Sequence, residues 1–198
     1  MKYINQEILK DIPFDQYLNL PGYSYSFLKR EVNGTLPAFH STDKVRIGSI
    51  VDDLLTNPEG ADVDTELYPI GKKIANFLKD FIGENALETL GRQLSIKGDI
   101  ENEGLVMPVK GRLDLFGLGR VIDLKVTDVR EADLNNLTFY MGYDKQMYNY
   151  CNLSGVDKAT LIFYTKKTDK IVLRNLDFSK GNGRCFNFWN EKSLKFGK

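Results

Sequence analysis

The chain has 198 residues, 42% hydrophobic and 27% charged, with 27 basic residues balanced by 27 acidic ones. Such a composition is that of a globular protein long enough to bury a core unaided, and it excludes collagen-like, low-complexity and highly charged disordered chains. A single histidine, His40, and two cysteines, Cys151 and Cys185, exclude a histidine-rich metal site and a four-cysteine zinc or iron–sulfur centre.

The opening Met1-Lys2-Tyr3-Ile4-Asn5-Gln6-Glu7 turns polar at once and lacks the apolar stretch of a secretion signal. No segment reaches the roughly 18 unbroken apolar residues of a bilayer span. A cytoplasmic protein is expected, with both cysteines reduced and serving as small core residues.

The N-terminal part, residues 1–90, reads as mainly helical. Ser24 or Ser26 is placed to cap a short helix through Phe27-Leu28-Lys29-Arg30, ended by Asn33-Gly34. Val45, Ile47, Ile50, Val51, Leu54 and Leu55 recur at helical spacing up to Asn57-Pro58, and Ile70, Ile74, Phe77, Leu78 and Phe81 form a third helical face. The period then changes to that of strands over 93–100, 106–116 and 120–126, separated by Asn102-Glu103-Gly104 and Gly117-Leu118-Gly119. One helix is expected over 138–152, and two strands over 159–164 and 171–178, joined through Thr168-Asp169. A C-terminal helix over 179–198 carries Phe186, Phe188 and Trp189. The expectation is a single α/β (α+β) domain, a small mixed central β-sheet flanked by helices, with its catalytic sheet in 91–178.

The segment from Gly111 to Val126 carries the chemistry. Leu113 and Leu115 alternate with Asp114, and Ile122, Leu124 and Val126 alternate with Asp123 and Lys125. Period two puts the apolar set on one face and the charged set on the other. With Leu118-Gly119 at the turn centre, 117 pairs with 120 and 114 with 123, so both carboxylates share a face. Opposed carboxylates with Cβ atoms about 4.5–5.5 Å apart repel each other, and a divalent cation such as Mg²⁺ answers that repulsion with hard-oxygen coordination. Lys125 projects from the same face, able to align a water or stabilise phosphate charge, and the Leu124 carbonyl offers a further oxygen.

Gly111-Arg112-Leu113-Asp114 followed by Ile122-Asp123-Leu124-Lys125 resembles motifs II and III of the PD-(D/E)XK nucleases. Gln146-Met147-Tyr148-Asn149-Tyr150 resembles the QxxxY motif of their RecB-like branch. Tyr25-Ser26-Phe27-Leu28-Lys29, with Gly48 through Leu55, is similar to the start of RecE-type phage exonucleases. The resemblance spans residues 24–150 and implies a restriction-endonuclease-like core. It further implies hydrolysis of DNA phosphodiesters, with Mg²⁺ or Mn²⁺ held by Asp114, Asp123, the Leu124 carbonyl and Asp52, and Lys125, Gln146 and Tyr150 completing the site. RecE-type enzymes carry histidine where this chain has Asp52; Asp53 competes for that position. Gly48, one turn earlier, is expected to let its helix approach the sheet closely. Gln93 and Glu101 are the candidates for a further acidic position of the family.

Lys158 to Lys198 holds ten basic and three acidic residues, a surplus of seven that leaves the remainder equally negative. Lys158, Lys166, Lys167, Lys170 and Arg174 are the candidates for DNA-backbone contacts by charge alone. The resemblance implies an exonuclease on linear double-stranded DNA in phage-type recombination or repair, in the cytosol of a bacterium or phage-infected host. A single-strand annealing partner and a homo-oligomer are part of that expectation. The alternatives are a restriction or junction-resolving endonuclease of the same superfamily, and a catalytically silent DNA-binding or assembly protein.

Overall fold

Seven strands share one sheet, described in a computed structural model over residues 2–10, 12–33, 43–56 and 63–180. In chain order the elements are β1 (Lys2–Leu9), α1 (Phe14–Asn19), β2 (Tyr23–Ser24), α2 (Tyr25–Asn33), α3 (Asp43–Thr56), α4 (Tyr68–Ile82) and α5 (Glu84–Thr89). They continue with β3 (Gly91–Asn102), β4 (Leu105–Gly117), β5 (Arg120–Thr127), α6 (Leu134–Tyr140), α7 (Tyr143–Ser154), β6 (Lys158–Thr165) and β7 (Lys170–Asp177). Strands run in the order β1-β3-β4-β5-β6-β7, with the two-residue β2 beside β4. Pairing is antiparallel except for β2 with β4 and β5 with β6. The parallel β5–β6 pair needs a crossover, which α6 and α7 provide. The chain is thus a mixed α/β protein with helices over both sheet faces.

Two apolar cores lie on opposite sides of the sheet. Val121, Leu161 and Phe163 pack with Leu28 of α2 and Met147 and Cys151 of α7. Ile122, Val126, Ile162 and Tyr164 pack with Ile47 and Ile50 of α3 and Ile74 and Leu78 of α4. Neighbours on β5 and β6 therefore alternate between cores, as a strand covered on both faces must.

The helices of the N-terminal part end where capping chemistry places them. The Phe27 N–H donates to Ser24 Oγ at 3.2 Å at the start of α2, and Pro69 sits in the first turn of α4. The expectation of a mainly helical start fails at Lys2–Leu9. This segment is an edge strand on β3, kinked where the register shifts between Ile4 and Glu7, and most of its side chains are exposed or only half buried. The single helix expected over 138–152 is two, broken at Gly142, whose φ of 69° lies in the left-handed region. The expected C-terminal helix, with Cys185, and His40 lie outside the described residues.

Candidate functional site

β4 and β5 pair over three residues only, Leu115 with Ile122, Phe116 with Val121 and Gly117 with Arg120. Leu118 (φ 53°) and Gly119 (φ 68°) make the tight turn between them, both left-handed as a two-residue hairpin demands. Beyond Ile122 the ladder stops, and the Leu124 N–H donates instead to Asp114 Oδ2 at 2.9 Å. A side-chain carboxylate thereby satisfies a backbone donor that the parting strands would otherwise leave open. The register extended by one step sets Asp114 against Asp123.

The expected division of faces fails at this point. Leu113 packs into the α7-side core and Leu115 into the α3-side core, so the alternation of β4 breaks at Asp114. Its neighbour Gln93 on β3 has a φ of 49°, a left-handed kink in the facing strand. Within the charged set Asp123 is only 3% exposed, whereas Asp114 and Lys125 are half-buried. Asp123 Oδ2 lies 2.6 Å from Lys125 Nζ, and the Tyr143 ring centroid is 5.0 Å from that ammonium.

One amine serves two carboxyls. Burial, then the charge of Asp123, pushes the Asp114 carboxyl up to about 7, against the pull of Lys125 and the Leu124 N–H. Burial drags the Lys125 ammonium down, but the Asp123 and Asp114 carboxylates outweigh it and hold it above the ordinary lysine value. Asp52 is raised by burial and by the charge of Asp53, with Arg112 and Arg92 opposing.

A cleft of about 690 Å³ opens on this cluster. Asp114 and Lys125 line it, with Gly48, Ser49 and Asp52 of α3 on another wall. Asp52, not Asp53, faces the cleft, and its charge reaches Asp114. Among the described residues no three acids, histidines or cysteines converge into a ready metal cluster, so Asp52 shares the cleft without joining the pair directly. A Cβ at Gly48 would meet nothing within 4 Å. Close helix–sheet packing is therefore not what that glycine provides; it leaves the cleft wall open. A separate surface groove of about 770 Å³, between α4 and the β6–β7 turn, contains none of these residues.

Other sequence candidates fall in several places. Gln93 lines the cleft, whereas Glu101 pairs with Lys2 at the far end of β3. Gln146 Nε2 donates to the Tyr150 hydroxyl at 3.0 Å, but both are buried and neither lines the cleft. Tyr150 packs with Met147 and Cys151, its ring against Gly111, where a Cβ would come within 2.5 Å of Cε1. Burial raises its hydroxyl far above the ordinary tyrosine value. The five basic candidates do not gather: Lys158 begins β6, while Lys166 lies just beyond the other end of that strand, paired with Asp128 at 3.2 Å. Lys170 pairs with Glu131 at 2.9 Å, Lys167 is in the β6–β7 turn, Arg174 is within β7, and none lines the cleft.

Sequence reasoning assigned no role to three cleft residues, Phe14, Tyr143 and Arg112. Arg112 Nε donates to Gln93 Oε1 at 3.0 Å and Nη1 to the Ile12 carbonyl at 3.0 Å. Its place in the Gly111–Asp114 segment and its parity with Asp114 on β4 are the signals the sequence offered. Lys29 also approaches the cluster: Nζ donates to the Met141 carbonyl at 2.5 Å, and burial with the nearby Lys125 and Lys145 charges lowers its ammonium.

No protein-family model and no curated protein matches the chain. Among solved structures it is similar to the protein SSO0001, at 16% identity over 84% of this chain and 83% of that one, with a TM-score of 0.46. A phage-related exonuclease from Haemophilus somnus 129PT is 14% identical over 84% and 82%, with a TM-score of 0.40. The alkaline exonuclease LHK-Exo from Laribacter hongkongensis is 12% identical over 92% and 90%, with a TM-score of 0.42. No helix among the described residues is long and apolar enough to cross a membrane.

Proposed function

We propose that the chain is a metal-dependent deoxyribonuclease of the PD-(D/E)XK kind, acting as an exonuclease on linear double-stranded DNA in phage-type recombination or repair. The observation that carries this reading is the Asp123–Lys125 pair, 2.6 Å apart, with Asp123 buried and Lys125 half-buried, beside Asp114 at an open cleft.

The residues fit a divalent cation. Asp123, buried, and Asp114, half-buried, share one ammonium, and desolvation followed by the charge of Asp123 raises the Asp114 carboxyl to about 7. Mg²⁺ or Mn²⁺ would supply the missing positive charge through hard oxygen ligands from Asp114, Asp123 and the Leu124 carbonyl, with Asp52 reaching from α3. Bound there, the ion would polarise a phosphoryl oxygen and make a water nucleophilic at neutral pH.

The protein's own groups do the rest. Asp114 is fixed by the Leu124 N–H, so its free oxygen keeps a set direction. Lys125 stays charged because its acidity is suppressed, which suits it to hold an attacking water or a phosphate oxygen and not to remove a proton. The Tyr143 ring limits where that ammonium can go. Gln146 and Tyr150, bonded to each other behind β4, support the strand carrying Asp114; this is a positioning role.

The test is cleavage of an end-labelled linear duplex and a supercoiled circle with Mg²⁺ or Mn²⁺, using wild type, Asp123→Ala and Lys125→Ala. The expected result is metal-dependent loss of the linear duplex, an intact circle, and at least ~100-fold slower cleavage by both variants. Nicking of the circle would instead indicate an endonuclease. Retention of DNA without cleavage under either metal would indicate a silent binding protein.

A further inference from the structure

Phe14 opens α1, is 49% exposed, and lines the same cleft as Asp52, Asp114 and Lys125. A stray surface aromatic needs no explanation, but this one is held in place. Lys110 Nζ donates to the carbonyls of Tyr17, Leu18 and Leu20, at 3.2, 2.8 and 2.7 Å, closing the C-terminal end of α1. Arg112 donates to the Ile12 carbonyl just ahead of the helix. Lys110 and Arg112 precede Asp114 at two-residue steps on β4. The strand that presents the Asp114 carboxyl therefore also anchors the helix that presents the ring.

The ring stacks on Tyr17 with centroids 6.0 Å apart and planes 28° from parallel, and the Arg112 guanidinium carbon lies 5.6 Å from its centroid. These contacts restrain the ring while about half its surface stays open. On α3, Val45 is 55% exposed and lines the same cleft. The mouth thus has two apolar lips, while acids, Lys125 and Arg112 lie deeper. That gradient matches a nucleotide, with its phosphate toward the charges and its base toward the rim.

We propose that Phe14 is a stacking platform for an unpaired base of the substrate strand, so that the cleft takes a strand whose end has left the duplex. An internal base pair shows only its edges, whereas an unpaired base offers a π-face that any aromatic ring can take regardless of sequence. The inference rests on the nuclease reading and adds the form in which the strand is engaged.

The experiment uses a 12-nucleotide single strand and a blunt 12-base-pair duplex, each with 2-aminopurine at one end, bound in Ca²⁺ in place of Mg²⁺. Wild type, Phe14→Ala, Phe14→Leu and Phe14→Trp are compared, with unfolding curves recorded for each. The expected result is quenching of 2-aminopurine by wild type and single-strand binding roughly tenfold or more weaker in Phe14→Ala and Phe14→Leu, with quenching lost. Phe14→Trp restores both, and blunt-duplex affinity changes less than twofold throughout. Equal binding by Phe14→Leu and wild type makes the ring an apolar contact only and overturns the proposal, as does equal loss on both probes. If wild type cleaves DNA in Mg²⁺ yet the variants all bind alike, this inference alone falls. If wild type neither cleaves nor binds, the nuclease reading falls and takes the inference with it.

Discussion

The Asp114 carboxyl makes the metal-free protein sensitive to pH in a direction opposite to that of ion-paired or hydrogen-bonded acids, whose values folding depresses. Its folded-state value is raised from 3.8 to about 7, chiefly by burial and secondarily by Asp123. A raised carboxyl favours the folded state when protonated. Its contribution is therefore fully present below pH ~4 and lost as pH rises toward ~7 and beyond. A carboxyl made roughly a thousandfold less acidic, at about 1.4 kcal/mol per tenfold, sets a ceiling of about 4 kcal/mol. Asp114 borders the open cleft, where solvent screens it, so about 2 kcal/mol is the expected size. Urea unfolding of metal-free protein followed by circular dichroism, at pH 5 and pH 8, measures the change. Asp114→Asn removes the titrating group and isolates its share from that of all other acids. Part of that loss falls below pH 5, so wild type should lose about 1.2 kcal/mol more than Asp114→Asn between the two pH values. Mn²⁺ at 100 times its dissociation constant should return about 2.7 kcal/mol to wild type at pH 8. Identical pH slopes for wild type and Asp114→Asn would refute the reasoning.

Lys125→Met leaves Asp123 buried beside a second acid and should cost about 3–5 kcal/mol at pH 8, while the double variant Asp123→Asn/Lys125→Met should cost less than that single one. Denaturant midpoints decide this; additive losses would contradict a buried ion pair. Gly111→Ala drives a Cβ into the Tyr150 ring and should destabilise by about 1–3 kcal/mol, with Tyr150→Leu relieving most of the loss in a double-mutant cycle. Gly48→Ala has open space before it and should raise stability by up to about 1 kcal/mol in thermal unfolding; a loss would mean that α3 needs the bare backbone after all.

The hairpin was legible because two independent signals agreed. The alternation around Asp123 fixed the strand, and Leu118-Gly119 fixed the turn, so the register followed. Helices α3 and α4 were legible for the same reason, with apolar spacing bounded by residues that start or stop a helix. Strand β1 was not, because it sits at a sheet edge where few side chains are buried and no alternation is enforced. The split of Leu113 and Leu115 between cores coincides with a left-handed Gln93 on the facing strand, which no local pattern encodes. The anchoring of α1 joins Lys110 and Arg112 to carbonyls some 90 to 100 residues away, a pairing that only the folded chain displays. The placement of the basic residues was not legible from charge counting: Lys166 and Lys170 each meet a nearby acid, and Lys158 lies at the other end of β6.

The central claim is that Asp114 and Asp123 form the two sides of a cation site and that Lys125 is its companion. Anomalous diffraction from crystals soaked in manganese tests it most directly. One strong peak is expected within about 2.3 Å of a carboxylate oxygen from each aspartate, with the Lys125 ammonium drawn off Asp123. A map with no peak between the two acids, from crystals that diffract well and hold the same strands, would contradict it.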